Sequence, residues 1–215
     1  MDNATLYTHV RPAGGEIASV LVRDGRFVAF DGPVPDSVPR VYGGGAIMLP
    51  GLIDAHAHLD KTMYGMPWYR NEVGPRLIDK IDNERLEKRR LGIDPYRQSA
   101  RQLVMSVADG TSHIRSHVDV DTDIGVAAIE GVMRARDQYR DQIDVQIVAF
   151  PQSGLLIRPG TLELMDQALR MGADVVGGLD PAGMDRDPKG HLDAIFALAD
   201  KLSLIHISEP TRLLS

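Results

Sequence analysis

Two histidines one residue apart, His56 and His58, close the stretch Pro50-Gly51-Leu52-Ile53-Asp54-Ala55-His56-Ala57-His58-Leu59-Asp60. Leu52, Ile53 and Ala55 read as a short buried strand opened by a Pro-Gly turn. Residues i and i+2 of a strand share a face, so His56 and His58 would present two imidazole nitrogens to one point at the strand's end. That is how a chain offers a divalent metal two neutral ligands. Asp54 and Asp60 flank the pair and could orient the imidazoles from behind. The competing reading is a chance pair, since the chain holds 7 histidines in 215 residues.

Composition bounds what else is open. With 43% hydrophobic and 25% charged residues and no low-complexity tract, the chain should bury a real core. The formal net charge is -6, and the basic residues are dispersed apart from Lys88-Arg89-Arg90, which reads as a solvated helix face. No nucleic-acid surface is expected. The start, Met1-Asp2-Asn3, lacks signal-peptide character and no segment has the ~20 apolar residues of a membrane span, so a cytoplasmic protein without membrane association is expected. The chain contains no cysteine, which excludes thiol nucleophiles, disulfide frameworks and zinc sites built on Cys-x-x-Cys. A metal here must be held by histidines and carboxylates.

The elements that must position the pair follow from periodicity. Ile17–Val22, an Asp24-Gly25 turn and Arg26–Phe30 read as a hairpin. After the His-x-His strand, Lys61 to Gly92 is a long excursion, turn-rich from Met63 to Gly74 and then helical around Pro75–Leu91. It contains Trp68, which reads equally as a pocket residue or a packing anchor. Asp94-Pro95 starts a helix with Leu103, Val104 and Val107 as its apolar stripe. Strand Ser112–Val120, helix 125–140 (Val126, Ile129, Val132, Met133 inward), strand Asp144–Phe150, helix 161–171, strand Ala173–Leu179 and helix Leu192–Lys201 (Leu192, Ile195, Phe196, Ala199 inward) complete the count. Strands alternating with helices of this length predict βαβ units around a parallel sheet.

The Pro-Gly entry, the apolar run, His-Ala-His and then Leu-Asp resemble the first barrel strand of the amidohydrolase superfamily. With strand ends reading Arg115-Ser116-His117-Val118-Asp119, Val148-Ala149-Phe150-Pro151-Gln152 and Gly177-Gly178-Leu179-Asp180-Pro181, the chain is similar to the cytosine deaminase branch, which includes N-isopropylammelide amidohydrolases. The resemblance implies an α/β fold, a (β/α)8 TIM barrel preceded by a small β-sandwich segment, with its site at the C-terminal strand ends. It also implies one divalent metal ion, zinc or iron, bound by His56 and His58, and a small heterocyclic substrate whose amide edge meets Gln152, a residue with one donor and one acceptor side by side. His117 either touches substrate or is a structural histidine. No lysine lies between Ala173 and Asp187 to bridge two metals, which favours a single ion. The full-length enzyme is expected to be a homo-oligomer. After strand four, Asp180-Pro181-Ala182-Gly183-Met184 lacks the aromatic character of bacterial cytosine deaminases, so a cyclic amidine, lactam or alkylamino-triazine stays open as substrate.

A complete barrel takes ~250 residues, and only four strand–helix units are legible. The expected organisation is therefore a β-sandwich segment over 1–46, the first half of a barrel over 47–201, and a non-native tail over 202–215 that reads like translated sequencing adapter. His206 and Glu209 have the His-x-x-Glu spacing of the family's fifth strand, and Glu209 becomes a catalytic candidate only if that tail is native. On this reading the fragment is inactive. The alternative is a non-catalytic half-barrel that binds a metal or a small molecule.

Overall fold

The structure is a computed structural model that describes residues 3–70 and 72–209, with backbone alone for 205–209. It divides into two compact units, Met1–Gly51 and Leu52–Ser215. In the first unit, β1 (Ala4–Pro12), β2 (Ala18–Arg23), β3 (Arg26–Phe30), β4 (Arg40–Tyr42) and β5 (Ile47–Met48) form a sheet of order β3-β2-β1-β4, with β5 also on β1. The hairpin turn falls at Asp24-Gly25, with φ of 50° and 73°. Two consecutive positive φ values give the turn whose twist matches the flanking strands, and glycine takes the second at no steric cost. Ala4, Leu6 and Leu21 form the small core of this unit.

The second unit runs β6 (Leu52–Ala57), α1 (Leu77–Arg90), α2 (Pro95–Ala108), β7 (Thr111–Asp119), α3 (Ala127–Tyr139), β8 (Asp144–Phe150), α4 (Thr161–Met171), β9 (Val175–Leu179), α5 (Pro188–Leu202) and β10 (Ile205–Glu209). Its five strands are parallel in the order β10-β9-β8-β7-β6, each joined to the next through at least one helix. This is part of a (β/α)8 barrel, and every strand delivers its C-terminal end to one rim. Leu103, Ile129, Val132, Ile147, Met165 and Ile195 pack the layer between strands and helices. Gly131 lets α2 and α3 close up, because a Cβ there would stand 2.7 Å from Pro95 Cβ and 2.8 Å from the Tyr96 nitrogen. The helix starts follow their caps: Asp94 Oδ1 accepts from the Arg97 amide at 2.9 Å, and Asp187 Oδ1 accepts from the Gly190 amide at 2.9 Å.

The loop after β8 is held by one carboxylate. Asp185 Oδ1 accepts from the amides of Leu155, Leu156 and Ile157 at 3.1, 3.0 and 3.2 Å, and Oδ2 lies 2.6 Å from Nδ1 of the fully buried His191. Amide dipoles converging on a buried anion repay its desolvation and fix the backbone around it.

Four expectations change. The strand of Leu52, Ile53 and Ala55 forms, but it pairs with β7 alone among the described residues, and Ile53 is 71% exposed. Edge position, not polarity, leaves its apolar residues outside. Val104 and Phe196 also face outward, because the helical stripes rotate onto Leu103 and Ser99 in α2 and onto Ile195, Leu198 and Ala199 in α5. Helix α5 starts at Pro188, four residues before the expected Leu192, since Asp187 caps it and proline suits the first turn. Beyond Lys201, where the sequence predicts no strand, Ser203 ends α5 in the left-handed conformation at φ 55°, and β10 adds to the open edge of β9 with His206 opposite Val176 and Glu209 opposite Leu179. The β-branched Ile205 and Ile207 suit that edge. Their side chains, with those of His206 and Glu209, lie outside the described residues.

The packing yields a contrast that sequence pattern alone would not. Ile129→Ala should cost about 2–5 kcal/mol through lost burial and a cavity, while Val104→Ala should stay within about 0.5 kcal/mol. Urea unfolding of both variants checks this by the shift of midpoint at constant slope.

Candidate metal centre

His56 lies in β6 and His58 one residue past its end, with φ -128° and ψ 82°. The chain then turns into a single 3-10 turn over Leu59–Lys61, pinned when the Leu59 amide donates to Ser116 Oγ of β7 at 3.0 Å. Gln98 of α2 donates to the Thr62 carbonyl and, at 3.3 Å, to that of Tyr64, fixing the next segment. Two neighbouring parallel strands and one helix therefore set the direction of His58.

The rings of His56 and His58 have centroids 5.4 Å apart and planes 56° apart. Two imidazoles bound to one tetrahedral ion with metal–nitrogen bonds of ~2.0–2.1 Å would place their centroids about 5 Å apart, so the pair fits a shared ion. His117, from β7, stacks on His56 at 4.4 Å with 24° between planes, and lies 5.7 Å from His58. The near-parallel planes let His117 pack face to face on His56 and steady the pair. Phe150, ending β8, meets His58 at 5.9 Å and His117 at 5.4 Å, both edge-to-face. This favourable aromatic geometry closes the cluster from behind.

Burial, reinforced by the Lys61 charge, lowers the His58 imidazole to about 3, and burial together with His56, Arg115 and Lys61 lowers His117 to about 4. Both rings are neutral at pH 7, the form that ligates metals. The buried Nδ1 of His58 has no hydrogen-bond partner among the described residues, as expected of a nitrogen shaped for a ligand.

Beneath the rings lies a layer of charge. Asp119, fully buried at the end of β7, is held by Lys61 at 3.1 Å and Lys88 of α1 at 2.6 Å, and Lys61 also reaches Glu84 at 3.0 Å. Burial works to raise the Asp119 carboxyl, but the two ammonium groups outweigh it and hold it below the usual range. Asp60 accepts from the Asp119 amide at 3.2 Å, and burial followed by the Asp119 charge pushes its carboxyl up to about 7. One atom from each of His58, Asp60 and Asp119 falls within 4.8 Å of the others, a second arrangement able to hold a cation. Because Asp119 already carries two ammonium partners, the imidazole pair is the better-fitting site.

The predicted residues divide accordingly. His56, His58 and His117 come together. Gln152 lies two residues past the end of β8 on the same rim but opens into an adjacent cavity of about 370 Å³, lined also by Lys61, Tyr69, Ile81, Glu84 and Lys88 and not by the imidazoles. Trp68 is 92% exposed and forms neither pocket nor anchor; the turn-rich segment around it gives a large ring nothing to pack on. Asp54 accepts from the His56 amide at 3.1 Å, capping the strand backbone. Asp119 and Lys88 were missed in the sequence because their pairing spans 31 residues and leaves no local spacing. The one available signal was an aspartate at a strand's C-terminal end.

No protein-family model matches the chain. The chain is 34% identical over 175 residues to the N-isopropylammelide isopropyl amidohydrolase of Pseudomonas sp. strain ADP, covering 79% of this chain and 42% of that protein. The crystal structure of N-isopropylammelide isopropylaminohydrolase from Burkholderia multivorans superposes with a TM-score of 0.91 at 40% identity, over 98% of this chain and 53% of that one. That of 5-methylcytosine deaminase from Klebsiella pneumoniae, liganded with 5-fluorocytosine, gives 0.77 at 28% identity, over 96% and 50%. Half-barrel, strand-end histidines and homologues together place the chain in the amidohydrolase superfamily, of whose members it spans about half the length.

In the metal-free protein, an imidazole whose folded value lies below the unfolded 6.5 takes up protons more readily when unfolded. Folding stability should therefore fall as pH drops from about 6.5 toward 4. Histidine ring NMR checks the cause: the signals of His58 and His117 should still be those of neutral rings at pH 5.5. Titration of His58 near 6.5 would overturn the assignment.

Proposed function

We propose that this chain carries the first-strand metal ligands and part of the substrate pocket of a metal-dependent amidohydrolase acting on a nitrogen heterocycle. The observation that carries the reading is the His56–His58 pair, its ring centroids 5.4 Å apart on the barrel rim, with burial holding His58 neutral. When bound there, a divalent ion supplies Lewis acidity that activates water toward a ring carbon bearing an amine leaving group. His56 and His58 would hold that ion, zinc or iron, while Phe150 and His117 keep the rings in place. Gln152 would read the amide edge of the ring, its NH₂ donating to a ring carbonyl and its carbonyl accepting from a ring N–H. Identity is higher to the two N-isopropylammelide hydrolases, at 34% and 40%, than to 5-methylcytosine deaminase, at 28%. This favours an alkylamino-triazine over a pyrimidine as substrate, with cleavage releasing an alkylamine.

Two imidazoles supply half of a tetrahedral site, and Asp119, which groups with His58 and Asp60, is already engaged by Lys61 and Lys88. The 215-residue chain by itself is therefore read as inactive, with a homo-oligomer as the form of the full-length enzyme. Zinc titration of the purified chain should show weak binding that His56→Ala or His58→Ala reduces at least about tenfold, whereas Gln152→Ala leaves it unchanged. Zinc affinity indifferent to both histidines would sink the reading. In the same preparation neither cytosine nor an N-alkylamino-triazine should turn over. Turnover that His58→Ala abolishes would overturn the inactivity and point to residues of β10 as further site members.

A further inference from the structure

Helix α1 is attached unlike any other helix here. Helices α2 to α5 each bury several side chains on the core, but in α1 only Ile81 is fully buried, seated on Phe150, Leu179 and Met184. The backbone of α1 stands off from the strands, and its attachment runs through charged tips. Lys88 reaches Asp119 at 2.6 Å, Arg85 reaches Asp121 at 3.0 Å and Asp123 at 2.8 Å, and Arg89 also pairs with Asp123. On the flanks Glu84 meets Lys61 at 3.0 Å and Asp82 meets Arg158 at 2.7 Å. Positions 81, 85, 88 and 89 follow i, i+4, i+7, i+8, so apolar pin and cationic contacts share one face. That face looks onto the segment just past β7, and α1 supplies Ile81, Glu84 and Lys88 to the cavity that contains Gln152.

We infer that α1 is a charge-latched cover over the Gln152 cavity, opening by release of its ion pairs from Asp119, Asp121 and Asp123 while Ile81 serves as the pivot against Phe150 and Lys61 stays behind as the partner of Asp119. Beyond Ile81 only the partly buried Leu77 and Ile78, in the first turn, add apolar contact to that cluster, so the stretch after Ile81 has a low cost of local opening. The two pairs to Asp123 have partly exposed members and weaken as salt shortens the screening length to ~3 Å near 1 M, whereas the buried Arg85–Asp121 and Lys88–Asp119 pairs are screened far less. The turn at Leu91-Gly92, with Gly92 at φ 61°, separates the cover from α2, so α1 can move without disturbing the α2–α3 contact. The inference rests on the proposed function only in taking the cavity as substrate-facing.

Hydrogen exchange by mass spectrometry on the full chain tests the latch without metal or substrate. From low salt to about 1 M NaCl, amides of residues 81–90 should exchange about fivefold faster, as expected for losing two such pairs, while those of α2 and α3 hold steady. Asp123→Asn, which removes the partner of Arg85 and Arg89, should produce most of that acceleration at low salt. Because the chain has no cysteine, a single Gln152→Cys reports opening by thiol labelling, with Trp68→Cys as the open reference. Labelling of Gln152→Cys should be slower than the reference and accelerate with salt and with Asp123→Asn. Overturning results are α1 exchange that tracks α2 at both salts, or Gln152→Cys labelling at the reference rate whatever the salt. Loss of the function reading, through absent zinc binding, would leave these measurements untouched.

Discussion

A single buried carboxylate, Asp119, sets the terms for its surroundings. It ends the second barrel strand, and it reaches both the turn after the first strand through Lys61 and the excursion helix through Lys88. An anion at zero exposure is untenable unless it is paired and hydrogen-bonded. The two lysines meet that need and are thereby fixed, which places positive charge directly beneath the imidazoles. That charge and burial keep His58 in its neutral, ligand-ready form. Removing Asp119 would leave two buried cations sharing Glu84 as their remaining partner, and the disturbance would reach the rings through Lys61 before any bond to a ring was touched.

Much of this was legible in sequence because it is local. The helix cap at Asp94, the Asp24-Gly25 turn, the alternation of strands and helices, and the His-x-His pair all carry their physics within a few residues. The strands Asp144–Phe150 and Thr111–Asp119 emerged within a residue of expectation for that reason. What failed depends on neighbours that spacing does not name. Whether Val104 or Leu103 faces inward is decided by where α3 lies, and Ile53 is exposed on a strand, β6, that pairs with β7 alone among the described residues. The tail shows the same limit from the other direction: five residues with weak strand character take strand form because β9 presents an unfilled edge.

For the site, sequence named the His56–His58 pair and the histidine stacked beside it, but not the arrangement of charge around them. Lys61–Asp119 and Lys88–Asp119 are separated by 58 and 31 positions, counted from their residue numbers, so neither forms a motif. Gln152 was placed on the right rim by strand counting, yet its cavity belongs to α1 as much as to the barrel, and nothing in the helix's polar sequence announced which carboxylates it would find. Trp68 was singled out as the tryptophan of a long loop after a barrel strand, and without a packing surface its ring lies in solvent.

The Asp185 anchor has an evolutionary reading. It grips the loop of residues 155–157 through three backbone amides, and a backbone amide is the same whatever side chain its residue bears. Leu155 is committed to the core, but Leu156 and Ile157 are partly exposed. Those two positions can be exchanged for other residues, proline excepted, while the loop keeps its path. Descendants of such a scaffold can thus vary the chemistry they present beside the Gln152 rim without refolding the loop that presents it.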